Sequence, residues 1–112
     1  MPEIKNILDI NRIRKSVGLE ITDFDEELQE LELAAINKLV LSGIKPSKIS
    51  KEDTLITTTI LAYIKSQFRF SDKDVALRFQ DVFEENKNFM RSTSEYTLES
   101  SESDGWSYIF IN

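Results

Sequence analysis

The sequence predicts an all-α fold, a small bundle of about four helices with an extended or β-hairpin-like C-terminal arm. Three observations carry that prediction. Apolar residues recur at helical spacing through most of the first 91 positions, Gly18, Gly43 and Pro46 punctuate the runs, and a polar stretch after Arg91 ends in an apolar terminus. With 112 residues there is room for one core, and a chain of this size buries roughly two-thirds of its unfolded surface. The expected organisation is a helical unit over residues 1–91 and an arm over residues 92–112.

The first helix is expected over residues 2–17. Pro2 suits a first helical position, Ile4, Ile7, Leu8 and Ile13 fall at helical spacing, and Gly18 supplies the stop. Arg12, Arg14 and Lys15 gather near the end where the helix dipole favours cations. A second helix is expected from Thr22 or Asp23, with Thr22 and Asp25 in capping-box positions and Asp25, Glu26 and Glu27 in the first turn. Leu28, Leu31, Ala35 and Leu39 form its stripe, widened by Ala34, Ile36 and Val40. Gly43 takes the left-handed position past the end, Ile44 touches Leu39, and Pro46 prevents continuation.

The third helix is expected to start at Ser50, with Asp53 completing a capping box, and to show Leu55, Ile56, Ile60, Ile64 and Phe68 on its apolar face. Thr57, Thr58 and Thr59 oppose this reading locally, because β-branched residues lose rotamer freedom in a helix. For the fourth helix Ser71 is the expected cap, Asp74 the third position, and Phe70 a staple onto Val75. Val75, Phe79, Val82, Phe83, Asn86, Phe89 and Met90 then trace one stripe with a single polar member, ending at Arg91. Core packing is the expected role of these aromatics.

Residues 92–104 are polar, acidic and serine-rich, which by composition reads as disorder. Trp106, Tyr108, Ile109, Phe110 and Ile111 then make one of the most apolar stretches in the chain. Three uses are open: a hairpin that pairs residues 95–99 with this end, placing Tyr96 and Leu98 beside Trp106, Tyr108 and Phe110; a fold-back onto the bundle; or docking on a partner.

Composition narrows the function classes. There is no His and no Cys, which removes Ser-His and Cys-His nucleophile pairs and every imidazole or thiolate metal site. Three glycines are too scattered to cradle phosphate. The acidic run Asp23 to Glu27 lacks a calcium loop, whose sixth position must be glycine and is here Leu28. No catalysis, cofactor or metal is expected. The chain has no secretory leader at Met1 and no apolar run near the ~18 residues of a membrane span, so a reducing cytoplasm is the expected site of folding. Net charge is −6, and it is unevenly spread: residues 20–32 carry seven acids and no base, and residues 92–112 carry four acids and no base. A phosphate-gripping protein should show a basic stripe. Segregated charge instead suits packing between protein copies.

One family pattern resembles these residues. Phe24-Asp25-x-Glu27-Leu28, Ala34-Ala35-Ile36, Gly43-Ile44, Asp53-x-Leu55-Ile56, the run Ile60 to Lys65, Phe68, Arg78-Phe79, Phe83-Glu84, Lys87 and Ser94-x-Tyr96 look like the head–tail connector (adaptor) proteins of long-tailed bacteriophages. The likeness covers roughly residues 7–96 and departs at Thr57 to Thr59 and in the apolar terminus. It implies a structural virion protein, not an enzyme, that forms a homo-oligomeric, dodecamer-like ring under the capsid portal. Such a ring offers a surface to a stopper or tail-completion protein and lets genomic DNA pass through its channel, with no membrane involved. It also implies a terminal extension that reaches the portal or a neighbouring copy, a role suited to Trp106, Tyr108, Ile109, Phe110 and Ile111. A ring needs one face to meet a different face of the next copy. Glu26, Glu27 and Glu30 against Lys45, Lys48 and Lys51 of a neighbour is the expected electrostatic contact.

Two other classes compete. A helical DNA-binding module, repressor-like or a terminase small subunit, would use the Gly43–Pro46 connection as its turn, but the following helix offers threonines and apolar residues where base-reading side chains belong. A cytoplasmic regulator that binds one protein partner is the other.

Overall fold

Residues 4–98, the part of the chain described by the computed structural model, form five α-helices and one 3-10 turn, with no strand among them. The expected all-α bundle is the observed fold. The helices are α1 (Ile10–Ser16), α2 (Asp25–Leu41), α3 (Thr54–Gln67), α4 (Lys73–Arg91) and α5 (Ser94–Thr97), with the 3-10 turn at Pro46–Lys48. Both α2 and α4 pack on α3, which makes α3 the central helix, while α1 covers α2 and α3 and α5 closes against α4.

The first helix is much shorter than the periodicity implies. Residues 4–9 precede it without helical structure, and Asp9 caps α1 by accepting a hydrogen bond from the Asn11 N–H at 2.8 Å. The reason sits on another helix. The Glu32 carboxylate accepts the N–H groups of Ile7 and Leu8 at 2.8 and 2.9 Å and the Asn6 amide at 2.7 Å. Backbone donors held by a carboxylate on α2 are drawn out of a continuous helix, and the segment becomes a strap that buries Leu8. Pro2 lies outside the described residues.

For α2, α3 and α4 the observed cap lies one to three residues beyond the expected one. For α2 the N-cap is Phe24, without a side-chain bond, and Thr22 contributes only its carbonyl to a turn with the Asp25 N–H. Phe24 is fixed there by its ring, which packs edge-on against Phe68 and Phe70. For α3 the cap is Asp53, whose Oδ1 accepts the Ile56 N–H at 3.1 Å, while Ser50 bonds Glu52 instead. For α4 it is Asp72, accepting from the Asp74 N–H, and Phe70 joins the aromatic cluster rather than stapling as the residue before the cap.

The C-terminal stop of α2 forms as expected. Gly43 has φ +115°, the Gly43 N–H bonds the Val40 carbonyl, and the Ile44 N–H bonds the Leu39 carbonyl, with Ile44 and Leu39 both buried. This double bond pattern satisfies carbonyls that a helix end otherwise leaves open.

Helix α3 tolerates its threonines because it is buried on more than one side. Thr57 and Thr59 are fully buried, and each hydroxyl donates back to its own helix, to the carbonyls of Thr54 and Leu55 respectively. A β-branched side chain held this way hides its polar atom and presents methyl to the core. The core itself is continuous: Leu8 and Ile13, then Leu28, Ala35, Ile36 and Leu39, then Ile56, Ile60, Ala62 and Ile64, closed by Phe68, Phe83, Met90 and Tyr96.

Past Arg91 the chain stays in the bundle. Residues 95–98, expected as one strand of a hairpin, are instead helix α5 and the residue after it, and Tyr96 is buried. The remainder of the arm, including Trp106, Tyr108, Ile109, Phe110 and Ile111, lies outside the described residues.

Candidate protein-interaction surface

Helix α4 carries a long apolar stripe, and only part of it is buried against the rest of the bundle. At about 100° per residue, Phe83 and Met90 fall close together on the helix circumference, and Val75, Val82 and Phe89 fall on an adjoining flank. Phe83 and Met90 are buried against α3, with the Phe83 ring 5.0 Å from that of Tyr63. Val82 is half-buried, Val75 is exposed, and Phe89 is 58% exposed. Val75 and Phe89 thus stand exposed toward opposite ends of α4, with Val82 between them half-buried against the core. Single exposed apolar residues are ordinary, but an aligned set is not.

A second apolar area gathers where α2 and α4 begin. Phe24, Phe68 and Phe70 form a triad of edge-to-face rings with centroids 5.1 to 5.9 Å apart, and Phe70 is 63% exposed. Arg69 lies over the Phe24 ring and donates to Glu27 through Nε at 3.0 Å. That bond holds the Arg69 guanidinium protonated beyond its ordinary value, the hydrogen bond to Glu27 being the main cause. Beside the triad an open groove of about 260 Å³ is lined by Val17, Lys65, Phe70, Val75 and Phe79.

The residues expected to make the electrostatic contact separate into two groups. Glu26 and Glu30 are exposed on the first turns of α2, whereas Glu27 is half-buried and already bonded to Arg69. Lys51 is exposed and Lys45 half-buried; Lys48, half-buried at the end of the 3-10 turn, has an interaction of its own. A helix the length of α2 spans about 25 Å, so acids and lysines sit toward its opposite ends and do not meet within one chain.

Tyr96 ties the second group together. The Lys45 N–H donates to the Tyr96 carbonyl at 2.9 Å, and the Tyr96 hydroxyl donates to Asp53 Oδ2 at 3.0 Å. Burial, with the Asp53 carboxylate adding to it, pushes the Tyr96 hydroxyl up to about 12. The connection between α2 and α3 occupies residues 42–53 and includes the 3-10 turn, far from the three- to four-residue turn of a helix-turn-helix.

Two features went unread in the sequence. Glu32 occupies a place in the α2 stripe between Leu28 and Ala35, and an acid inside an apolar stripe was a readable signal of a buried acceptor. The meeting of Lys38, Lys87 and Arg91 at one open groove carried no signal, since it depends on how α2 and α4 are placed by α3. No protein-family model, curated protein or solved structure matches this chain. No described helix is long and apolar enough to cross a membrane.

Proposed function

We propose that this chain is a structural adaptor that assembles with copies of itself into a ring at the head–tail interface of a long-tailed bacteriophage, between the portal and a stopper or tail-completion protein. The observation that carries the reading is the apolar flank of α4, where Val75 and Phe89 stand exposed and Val82 is only half-buried, on a small helical unit whose core is otherwise continuous. Such a flank is stabilised when a neighbour covers it. Charge supports a head-to-side arrangement, since Glu26 and Glu30 stand toward one end of α2 and Lys45 and Lys51 toward the other. Contacts between unlike faces are what a ring requires. The resemblance to connector proteins supplies the virion setting, and its residues include core positions Leu28, Ala35, Ile36, Ile60, Ile64, Phe83 and Tyr96.

The test is assembly. Purified chain, alone and with portal-bearing capsids, is examined by sedimentation and electron microscopy, and mature particles are probed for the protein. Closed rings or capsid-bound density at the portal vertex are expected. Glu26→Lys with Glu30→Lys should weaken assembly while leaving helix content unchanged; Glu27 is spared because Arg69 depends on it. A protein that stays monomeric, is absent from particles, and binds duplex DNA with steep salt dependence would overturn the reading in favour of a DNA-binding module.

A further inference from the structure

Helices α2 and α4 both place cations in or near their final turns. Lys38 is in the last turn of α2, Arg91 in the last turn of α4, and Lys87 one turn earlier. Packing on α3 brings these ends together, so that Lys38, Lys87 and Arg91 line one open groove of about 430 Å³ with Leu41 and Ser42. Among the described ion pairs only Lys87 with Glu84, at 2.8 Å, involves a residue of this groove. Leu41 at the groove is 75% exposed, the most exposed large apolar side chain described. The surface is thus basic with an apolar spot, and it asks for an acidic segment carrying one apolar anchor.

The chain itself carries such a segment close by. Residues 99–104 contain Glu99, Glu102 and Asp104 and no base, and Gly105 and Trp106 follow. The chain leaves the described structure at Leu98, two residues past Tyr96, whose carbonyl is held by Lys45 just beyond Ser42 of the groove. Seven residues, 99–105, can span up to about 24 Å when extended. A tether that short gives an intramolecular segment an effective concentration in the millimolar range. A separate polyanion is disfavoured by the net charge of −6.

We propose that the groove of Lys38, Lys87 and Arg91 is the docking site for the chain's own residues 99–106, with Glu99, Glu102 and Asp104 facing the three cations and Trp106 against Leu41. A segment held there is unavailable to any partner. This inference goes beyond the ring reading and does not depend on it.

Trp106 is the single tryptophan of the chain, so its fluorescence reports the segment directly in the full-length protein. Quenching by acrylamide is measured for the wild type, for Lys38→Glu with Arg91→Glu, and for Glu99→Lys with Glu102→Lys and Asp104→Lys. Lys87 is left in place because it bonds Glu84. Wild-type Trp106 is expected to be shielded at every protein concentration, both variants should raise quenching several-fold, and combining the two sets should restore shielding. If the groove variant fails to fold, the segment variant and its salt dependence carry the decision, since screening at 1 M salt reaches about 3 Å. Full quenching in the wild type, or equal quenching in wild type and variants, would overturn the proposal. Shielding that vanishes on dilution would assign the groove to a second copy instead.

Discussion

The hydroxyl of Tyr96 donates to Asp53 Oδ2 at 3.0 Å, while Oδ1 of the same carboxylate caps α3 through the Ile56 N–H. One side chain therefore starts the central helix and anchors the segment after the last long one, 43 residues later in sequence. Removing the hydroxyl by Tyr96→Phe should cost about 1 kcal/mol, measured by urea unfolding, because a single partly buried hydrogen bond is lost and the ring still fills its place.

The same contact gives a pH dependence. Tyrosine ionises near 10 in the unfolded chain and is raised to about 12 here, mainly by burial. A raised acid of this kind stabilises the fold below pH 10 and loses its contribution as pH climbs toward 12. Stability should fall by on the order of 2 kcal/mol across that window. Tyr96→Phe should flatten that part of the profile; an unchanged alkaline slope in the variant would show that other groups govern it.

Glu32 fixes the N-terminal strap. Glu32→Ala leaves the Ile7 and Leu8 N–H groups without their acceptor and the Asn6 amide with only the Gln29 carbonyl, and Leu8 is buried. A loss of about 3 kcal/mol is expected, together with rapid amide exchange at Ile7 and Leu8. Glu32→Gln keeps one acceptor oxygen and should lose less than half as much.

Two phenylalanines on α4 should respond in opposite ways. Phe83 is 1% exposed, and Phe83→Ala should cost about 3–5 kcal/mol. Phe89 is exposed, and Phe89→Ser should change monomer stability by less than about 0.5 kcal/mol while reducing self-association. A large stability loss at Phe89 would mean that the flank is covered within the chain.

Gly43 is required by its backbone rather than by space. A Cβ there would meet nothing within 4 Å, yet φ is +115°. Gly43→Ala should cost about 1–3 kcal/mol through strain alone, read as a shift in the urea midpoint without a change in slope.

Most of the helical architecture was legible because periodicity and stop signals act locally. The α2 stripe, its Gly43 cap and the α3 core face were readable residue by residue. Helix starts were not, since the stretch before each helix offers several residues able to cap. Asp53 prevails over Ser50 with Tyr96 reaching its carboxylate, and Phe24 prevails over Thr22 with its ring in the triad. The candidate surface was partly legible: Val75, Val82, Phe83, Phe89 and Met90 were recognised as one stripe, but nothing local divides that stripe into a buried and an exposed half.

The amino-acid order by itself determined that the chain forms amphipathic helices, where α2 stops, and that acids and bases are segregated, because each follows from neighbours within one or two turns. Tertiary structure alone decided that α1 is short, that α4 shows an apolar flank, and that Lys38, Lys87 and Arg91 share a groove. Those outcomes depend on contacts between residues far apart in sequence, set by how α2 and α4 lie on α3, and no local pattern encodes that placement.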